Sequence, residues 1–148
     1  MKAVVQRVNH AKISVKVPHY EAAIGAGYCV LLGIMEGDGE TQAQWIAKKL
    51  AHLRIFRDQD DKMNSSILDT QGEILLISQF TLAGDCSKGN RPSFIQAAHP
   101  EIAEPLVKLV GELLQTLYKV PVKTGVFGAM MNIELSNDGP VTLILERD

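Results

Sequence analysis

The sequence has few of the residues that build metal sites, disulfides and redox centres. Among its 148 residues are two cysteines and four histidines. Cys29 and Cys86 form no Cys-x-x-Cys pair, and no two histidines have helical ligand spacing, so neither a zinc site nor a disulfide scaffold is indicated. No Gly-x-x-x-x-Gly-Lys phosphate loop occurs. We therefore expect no metal, no cofactor and a reduced, cytoplasmic protein.

Net charge and long apolar runs are also scarce. The formal net charge is −2 and the pI is near 6.1, so no bulk basic field attracts nucleic acid, and a polynucleotide partner must be held locally. No segment reaches the roughly 18 apolar residues that a membrane span needs. With 46% hydrophobic and 22% charged residues, the chain is expected to form a single globular domain over residues 1–148.

Alternating, β-rich segments predict that the chain begins with an antiparallel meander. Residues 2–8 and 11–17 alternate, and we expect them to form a hairpin with its turn at residues 9–10. Further strands are expected at residues 20–24 and 28–35. The first 35 residues are thus predicted to be mostly sheet.

Two later segments have the 3.6-residue period of amphipathic helices. The first follows Asp38, which we expect to cap it. Its apolar positions are Ala43, Ile46, Ala47, Leu50 and Leu53. The second begins at Pro100, and we expect Pro105 to lie in its first turn, because a proline deeper in a helix removes a hydrogen bond. The fold class predicted is α/β (α+β).

Near the C-terminus, residues 137–140 read Asn-Asp-Gly-Pro, a strong turn signal before a last strand at residues 141–145. A proline after glycine can adopt the cis peptide bond at modest cost, which would fix both carbonyls in an unusual direction. Rigid backbone acceptors of this kind could read stereochemistry. An ordinary hairpin turn is the alternative.

Residues 74–81 change from apolar to polar within eight positions. Ile-Leu-Leu-Ile is typical of a central strand covered on both faces, and it is followed by Ser78, Gln79, Phe80 and Thr81. Polar groups cannot stay buried unpaired, so these side chains either bond their own backbone or face a cleft. At a strand end, successive N–H groups can point at one acceptor, as an oxyanion hole requires. A plain strand cap is the alternative.

No partner for hydroxyl catalysis is visible near this stretch. All four histidines lie outside it: His10, His19, His52 and His99. A Ser-His-Asp or Cys-His arrangement is therefore weakly supported. The loop at residues 83–92 contains two cations, Lys88 and Arg91, which either hold a phosphate or belong to a solvated loop.

Seven short motifs, in order along the chain, carry a resemblance to a known family. They are Gln6-Arg7-Val8, Ile24-Gly25-Ala26-Gly27, Lys62-Met63-Asn64, Ser78-Gln79-Phe80-Thr81, Arg91-Pro92-Ser93-Phe94, Thr124-Gly125 with Phe127-Gly128-Ala129-Met130, and Asn137-Asp138-Gly139-Pro140-Val141-Thr142. The chain resembles the D-tyrosyl-tRNA deacylase family essentially from end to end. The resemblance implies curved, barrel-like, mostly antiparallel sheets with two main helices.

The same resemblance implies an activity and a set of partners. The reaction is hydrolysis of the ester that joins a D-amino acid, or glycine, to the 3′-terminal ribose of tRNA. The enzyme is expected to be a homodimer with its active sites at the subunit interface. No metal, DNA or membrane is implied.

Catalytic roles are implied for the polar strand end, Ser78 to Thr81. The backbone N–H groups of Gln79 and Phe80 are expected to hold the ester carbonyl, while Ser78 or Thr81 positions it or the attacking water. Thr81 as covalent nucleophile is the competing mechanism. We favour positioning, because no base for its hydroxyl is visible.

Substrate selection is implied for the Gly139-Pro140 motif, which is expected to enter the partner subunit's pocket and reject L-amino acids. Three further residues are expected to support the pocket or the inserted turn: Arg7, Ala129 and Met130. Lys88 and Arg91 are expected to meet the backbone of the tRNA end.

Two other classes of function stay open. One is a thiol-dependent hydrolase that uses Cys86 and is abolished by alkylation. The other is a non-catalytic dimeric module that binds a tRNA end or DNA, with the strand-end hydroxyls acting only as caps. Binding without turnover would identify the second.

Overall fold

The computed structural model describes all residues from Met1 to Asp148. Its strands are β1 (Lys2–Val15), β2 (Tyr20–Ile24), β3 (Gly27–Gly33), β4 (Phe56–Arg57), β5 (Met63–Ser65), β6 (Glu73–Ser78), β7 (Val122–Thr124) and β8 (Met131–Glu146). Its helices are α1 (Glu40–His52), α2 (Ile67–Thr70) and α3 (Pro100–Thr116). A 3₁₀ turn, Phe80–Ala83, follows β6 after one residue.

Six of the strands form one curved sheet in the order β2-β1-β3-β6-β7. The sixth, β8, pairs with β1 along the edge opposite to β2 and β3. β1 pairs antiparallel with β2, β3 and β8, whereas β3, β6 and β7 are parallel. Parallel neighbours need long crossover connections, and α1 and α3 lie within them. The predicted α/β class, with a curved, mostly antiparallel sheet and two main helices, is confirmed.

The predicted N-terminal hairpin is wrong, because β1 is one strand of 14 residues. Its residues 2–8 pair with β3 and its residues 11–15 pair with β2, while β8 pairs along both halves. The expected turn at residues 9–10 is instead a local shift in register against β8. A partner strand that spans both halves keeps the chain extended through this irregularity.

The C-terminal turn signal at residues 137–140 also lies inside a strand, β8. Val8 stands opposite Asn137 and Gln6 opposite Thr142, so Asp138–Val141 bulge out against Arg7 alone. The Gly139–Pro140 peptide bond is cis. The alternative of an ordinary hairpin turn is wrong, because β8 stays paired with β1 on both sides of the bulge.

Helix α1 buries four of its predicted apolar positions, Ala43, Ile46, Ala47 and Leu50. Its N-cap is Gly39 rather than Asp38. The Asp38 carboxylate instead accepts hydrogen bonds from the Met35 N–H and from the Met1 amino group, both at 2.6 Å. The predicted cap therefore ties the N-terminus to the segment that follows β3.

Helix α3 continues through Pro105, its sixth residue, so the expectation that this proline lies in the first turn is wrong. A proline there cannot donate to the carbonyl of Glu101. Pro105 and Glu101 are both exposed, and water can satisfy the free carbonyl.

The core has two parts, one on each face of the sheet. Ile74 and Leu76 of β6 belong to the larger cluster, which packs under α1 and α3. Leu75 and Ile77 belong to a smaller cluster within the curve of the sheet. This explains the continuous apolar run of β6, and it confirms that the strand is covered on both faces. No helix of the structure has the length and apolar character needed to cross a membrane.

Candidate active site

The polar end of β6 is held by its neighbour strand and then turns sharply. The Gln79 N–H donates to the Leu32 carbonyl at 2.7 Å, and the Leu82 N–H donates back to the Gln79 carbonyl at 3.3 Å. Leu82 is thus the first donor within the 3₁₀ turn. The N–H groups of Phe80 and Thr81 precede it and have no partner inside the turn, as at any helix start.

The side chains at this end face outward. Phe80 is 59% exposed and Thr81 is also exposed, whereas Ser78 and Gln79 are half-buried. The Gln79 carboxamide donates to the Thr81 hydroxyl oxygen at 2.6 Å. None of the three polar side chains bonds the backbone, which argues against a plain strand cap.

No histidine is hydrogen-bonded to the hydroxyl of Ser78 or Thr81. His52 lies on α1 with its ring edge-on to Tyr118 at 5.3 Å, and His99 is the N-cap of α3. All four histidines are exposed at the surface. The hydroxyls have no visible general base.

The two cysteines differ in environment. Cys29 is buried in the smaller core cluster, and this burial raises the pKa of its thiol to about 11. Cys86 is exposed on the loop after the 3₁₀ turn. Of the two thiols, only Cys86 is accessible to a reagent.

The loop after β7 lies at the same edge of the sheet as the polar end of β6, because the two strands are parallel. Leu76 pairs with Thr124, and the Gly125 N–H donates to the Leu76 carbonyl at 3.0 Å. The chain then continues into the loop that contains Ala129 and Met130, and Met130 is 92% exposed. Both predicted pocket residues thus follow a strand that ends beside the candidate site.

A hairpin-like loop, residues 85–93, follows the 3₁₀ turn and is closed by pairing of Asp85 with Ser93. Its cations, Lys88 and Arg91, are exposed, and neither takes part in a salt bridge. Phe94, just beyond the loop, packs edge-on against Phe80 with ring centroids 5.2 Å apart. The two cations are therefore carried on a loop that is anchored next to the candidate site.

The buried side chain of Arg7 anchors the bulge in β8. Its side chain is only 3% exposed, and its guanidinium donates to the Ile55 carbonyl. It also donates to the Asp138 carbonyl at 3.2 Å and pairs with the Asp138 carboxylate at 3.0 Å. Gly139 and Pro140 are exposed beyond this anchor. Arg7 is thus a support of the bulge rather than a surface residue.

The bulge and the polar strand end lie apart in the folded chain. Ser78 pairs with Leu32, and Leu32 pairs with Ala3. Arg7, which faces the bulge, lies four residues farther along β1, or about 13 Å at the usual rise of a strand. The fold therefore does not bring Gly139 and Pro140 to the polar strand end of the same chain.

Two cavities lie away from the polar strand end, and the second of them is lined in part by Asp138 of the bulge. One of about 560 Å³ is lined only by polar and charged residues, and one of about 450 Å³ lies beside it, with Arg57 and Thr70 common to both. Neither includes a residue of the strand end. The structure contains no group of three or more side chains placed to hold a metal ion.

One contributor to the site could not be predicted. The Leu32 carbonyl fixes the Gln79 N–H, but Leu32 belongs to a strand more than 40 residues away in the sequence. Its acceptor is a backbone atom that every residue has. No side-chain signal could have identified it.

Comparison with known proteins gives matches over the whole chain. A family model described as D-Tyr-tRNA(Tyr) deacylase matches residues 4–146. The D-aminoacyl-tRNA deacylase of Thermus aquaticus is 52% identical over 146 residues, which cover 99% of this chain and 95% of that protein. The D-aminoacyl-tRNA deacylase of Halalkalibacterium halodurans is 51% identical, with 99% of each chain covered. A solved structure of the c-Myc DNA Unwinding Element Binding Protein is 42% identical and superposes with a TM-score of 0.92, covering 100% of this chain and 99% of the other.

Proposed function

This chain belongs to the D-Tyr-tRNA(Tyr) deacylase family, and we propose that the polar end of β6 is where it hydrolyses D-aminoacyl-tRNA. It is an enzyme that acts on ester bonds. The observation that carries the proposed site is the pair of unpartnered N–H groups at the start of the 3₁₀ turn. Because the substrate is an aminoacyl-tRNA, the cytoplasm is the proposed place of action.

The N–H groups of Phe80 and Thr81 hold the ester carbonyl oxygen in this proposal. The sequence alone favoured the N–H groups of Gln79 and Phe80 as donors. Because the Gln79 N–H already donates to the Leu32 carbonyl, the proposed donors are instead those of Phe80 and Thr81. Negative charge develops on the carbonyl oxygen as water attacks, and preorganised donors stabilise that charge. Removing one such donor typically lowers the rate by about 10²–10³-fold.

Water is the nucleophile in the proposed reaction. Its oxygen attacks the carbonyl carbon, the bond from that carbon to the ribose 3′ oxygen breaks, and the leaving oxygen takes a proton. The products are a free D-amino acid and tRNA. The Thr81 hydroxyl, held by the Gln79 carboxamide, positions the water or the ester, and the 2′-hydroxyl of the tRNA assists. An aminoacyl ester is activated, so a strong base is not required.

Chirality is read by Gly139 and Pro140 of the opposite subunit. Their bulge is exposed, and the buried Arg7 fixes its direction. It lies about 13 Å along β1 from the strand end of its own chain, which supports action on a partner. Backbone carbonyls that fill the space of an L side chain reject L-amino acids and tolerate many D side chains. Glycine has no side chain, so glycyl-tRNA is also accepted.

A homodimer is supported by the free edge of β8. This strand has 16 residues and pairs only with β1, so its other edge has no partner within the subunit. Ile144 on this strand is 71% exposed. Long unpaired edges with exposed apolar side chains are typical of surfaces that pair with another chain.

Lys88 and Arg91 bind the phosphates of the tRNA end in this proposal. Each contact with a phosphate releases counterions, so a Lys88→Ala, Arg91→Ala double variant should bind tRNA more weakly, with a flatter dependence of affinity on salt. Equal affinity at all salt concentrations would remove both residues from the tRNA site.

A second candidate function is nucleic-acid binding without turnover. It is favoured by one observation, that the 42% identical protein is named as a DNA-binding protein. On this alternative, DNA or a tRNA end would bind and remain intact.

The first experiment compares release of D-tyrosine and L-tyrosine from charged tRNA by the purified protein in the presence of a chelator. Fast D release with negligible L release is expected. Equal release would indicate a general esterase and contradict the proposed reading of chirality. Binding without release of either would favour the second candidate. An arm with Cys86 alkylated should remain active, whereas a thiol-dependent hydrolase would lose its activity.

A further inference from the structure

Two glycines lie against the 3₁₀ turn, one on each side. Gly33 is the last residue of β3, and Gly84 directly follows the turn. Gly84 has a φ of −64°, and the φ of Gly33 is also outside the left-handed region, so any residue could adopt either conformation. Backbone freedom therefore does not explain why these positions are glycine.

Space explains it. A Cβ at Gly33 would lie 2.9 Å from the Gln79 carbonyl oxygen and 2.9 Å from the Leu82 Cβ. A Cβ at Gly84 would lie 2.9 Å from the Thr81 carbonyl oxygen. Backbone atoms and a Cβ cannot swing aside as the end of a long side chain can. A methyl group at either position must therefore move the turn.

The Gln79 carbonyl and the Phe80 N–H belong to the same peptide unit, which is planar. A shift of that oxygen therefore changes the direction of the N–H. The Thr81 carbonyl and the Leu82 N–H belong to one peptide unit, two units farther along the chain. This Leu82 N–H donates to the Gln79 carbonyl. A side chain at position 33 would thus move the Phe80 N–H directly. A side chain at position 84 would move it through the hydrogen bond from Leu82 to Gln79.

We propose that Gly33 and Gly84 are positioning residues for the deacylation reaction, because their missing side chains let the turn aim the Phe80 N–H at the ester carbonyl. The proposal rests on the proposed role of that N–H. Misplacement of a catalytic group by a fraction of an ångström is enough to slow an enzyme, so the two glycines should affect the rate constant rather than tRNA affinity.

The test compares Gly33→Ala and Gly84→Ala with a matched control, Gly39→Ala. Gly39 has an extended backbone, and a Cβ there would meet nothing closer than 3.9 Å. Each folded variant is measured for the single-turnover rate of D-tyrosine release and for the dissociation constant of uncharged tRNA. We expect Gly33→Ala to lower the rate at least about tenfold and Gly84→Ala to lower it less, with tRNA affinity within about twofold of wild type.

A folded Gly33→Ala variant with the wild-type rate would overturn the proposal, even if its melting temperature were lower. If Gly33→Ala does not fold, a wild-type rate in folded Gly84→Ala overturns it. A parallel loss of tRNA affinity and rate would also contradict it, because that pattern indicates general distortion. Absence of release by the wild-type protein would instead refute the proposed function, so the two failures are distinguishable.

Discussion

At the scale of single residues, Thr81 offers both a hydroxyl and a backbone N–H to the proposed site. Substitution removes only the hydroxyl, so Thr81→Ala separates the two groups. We expect its single-turnover rate with D-tyrosyl-tRNA to stay within about tenfold of wild type, because the N–H and the water remain. Thr81→Ser, which retains the hydroxyl, is the control. A fall of a thousandfold or more in Thr81→Ala alone would establish the hydroxyl as nucleophile.

Arg7 is a buried cation whose partners are mostly backbone carbonyls. Arg7→Met would leave the Ile55 carbonyl buried without a donor and release the bulge. We expect the free energy of unfolding in urea to fall by about 2–4 kcal/mol. Release of L-tyrosine from charged tRNA should rise in the folded fraction.

Lys12→Met is the matched control for this change. It breaks an ion pair with Glu21 in which both side chains are nearly half exposed, so the loss of stability should be under about 1 kcal/mol. Equal losses in the two variants would mean that the buried contacts of Arg7 contribute no more than a surface pair.

At the scale of elements, the structure of β6 follows from its local sequence pattern, whereas that of α3 depends also on packing. The apolar run of β6 predicts a strand buried on both faces, and the two core clusters confirm it. The helix α3 follows its apolar period despite Pro105, because packing of its buried face outweighs one lost hydrogen bond at an exposed position.

Pro105 is therefore a site where stability can be gained. Pro105→Ala restores an N–H that can donate to the Glu101 carbonyl and removes the ring from the helix interior. We expect the free energy of unfolding to rise by about 1–3 kcal/mol, partly offset by the greater freedom of the unfolded chain. Pro100→Ala, at the first position of the helix, should change it by less than about 1 kcal/mol. A Pro105→Ala variant that is less stable than wild type would show that the proline fits the helix without cost.

At the scale of the whole molecule, the separation between the bulge and the strand end makes a specific prediction about mixed dimers. Phe80→Pro removes one proposed donor, and Pro140→Gly frees the backbone of the proposed chirality filter. A dimer with one subunit of each kind, isolated with two affinity tags, tests which subunit the bulge serves.

If the bulge serves the partner, the mixed dimer has one complete site. It should release D-tyrosine at about half the wild-type rate and reject L-tyrosyl-tRNA. If the bulge serves its own subunit, the only intact turn is paired with the altered bulge, and L-tyrosine is released. The Pro140→Gly homodimer, which should release both, is the control.

The sequence by itself determined the fold class, the burial of β6, the apolar face of α1, and the motifs that identify the family. These depend on local periodicity and on residue identity, which the sequence displays directly. The polar strand end was located in the same way, because the change from apolar to polar residues is visible within eight positions.

The tertiary structure alone decided how the long strands pair and which N–H groups are free. Residues 9–10 and 137–140 have turn character, but neither segment ends its strand, because β1 and β8 pair over most of their length. The choice of Phe80 and Thr81 as the proposed donors depends on the Leu32 carbonyl, a backbone atom of a distant strand that occupies the Gln79 N–H. Contacts between backbone atoms far apart in the chain have no signature in residue type, so only the folded arrangement can reveal them.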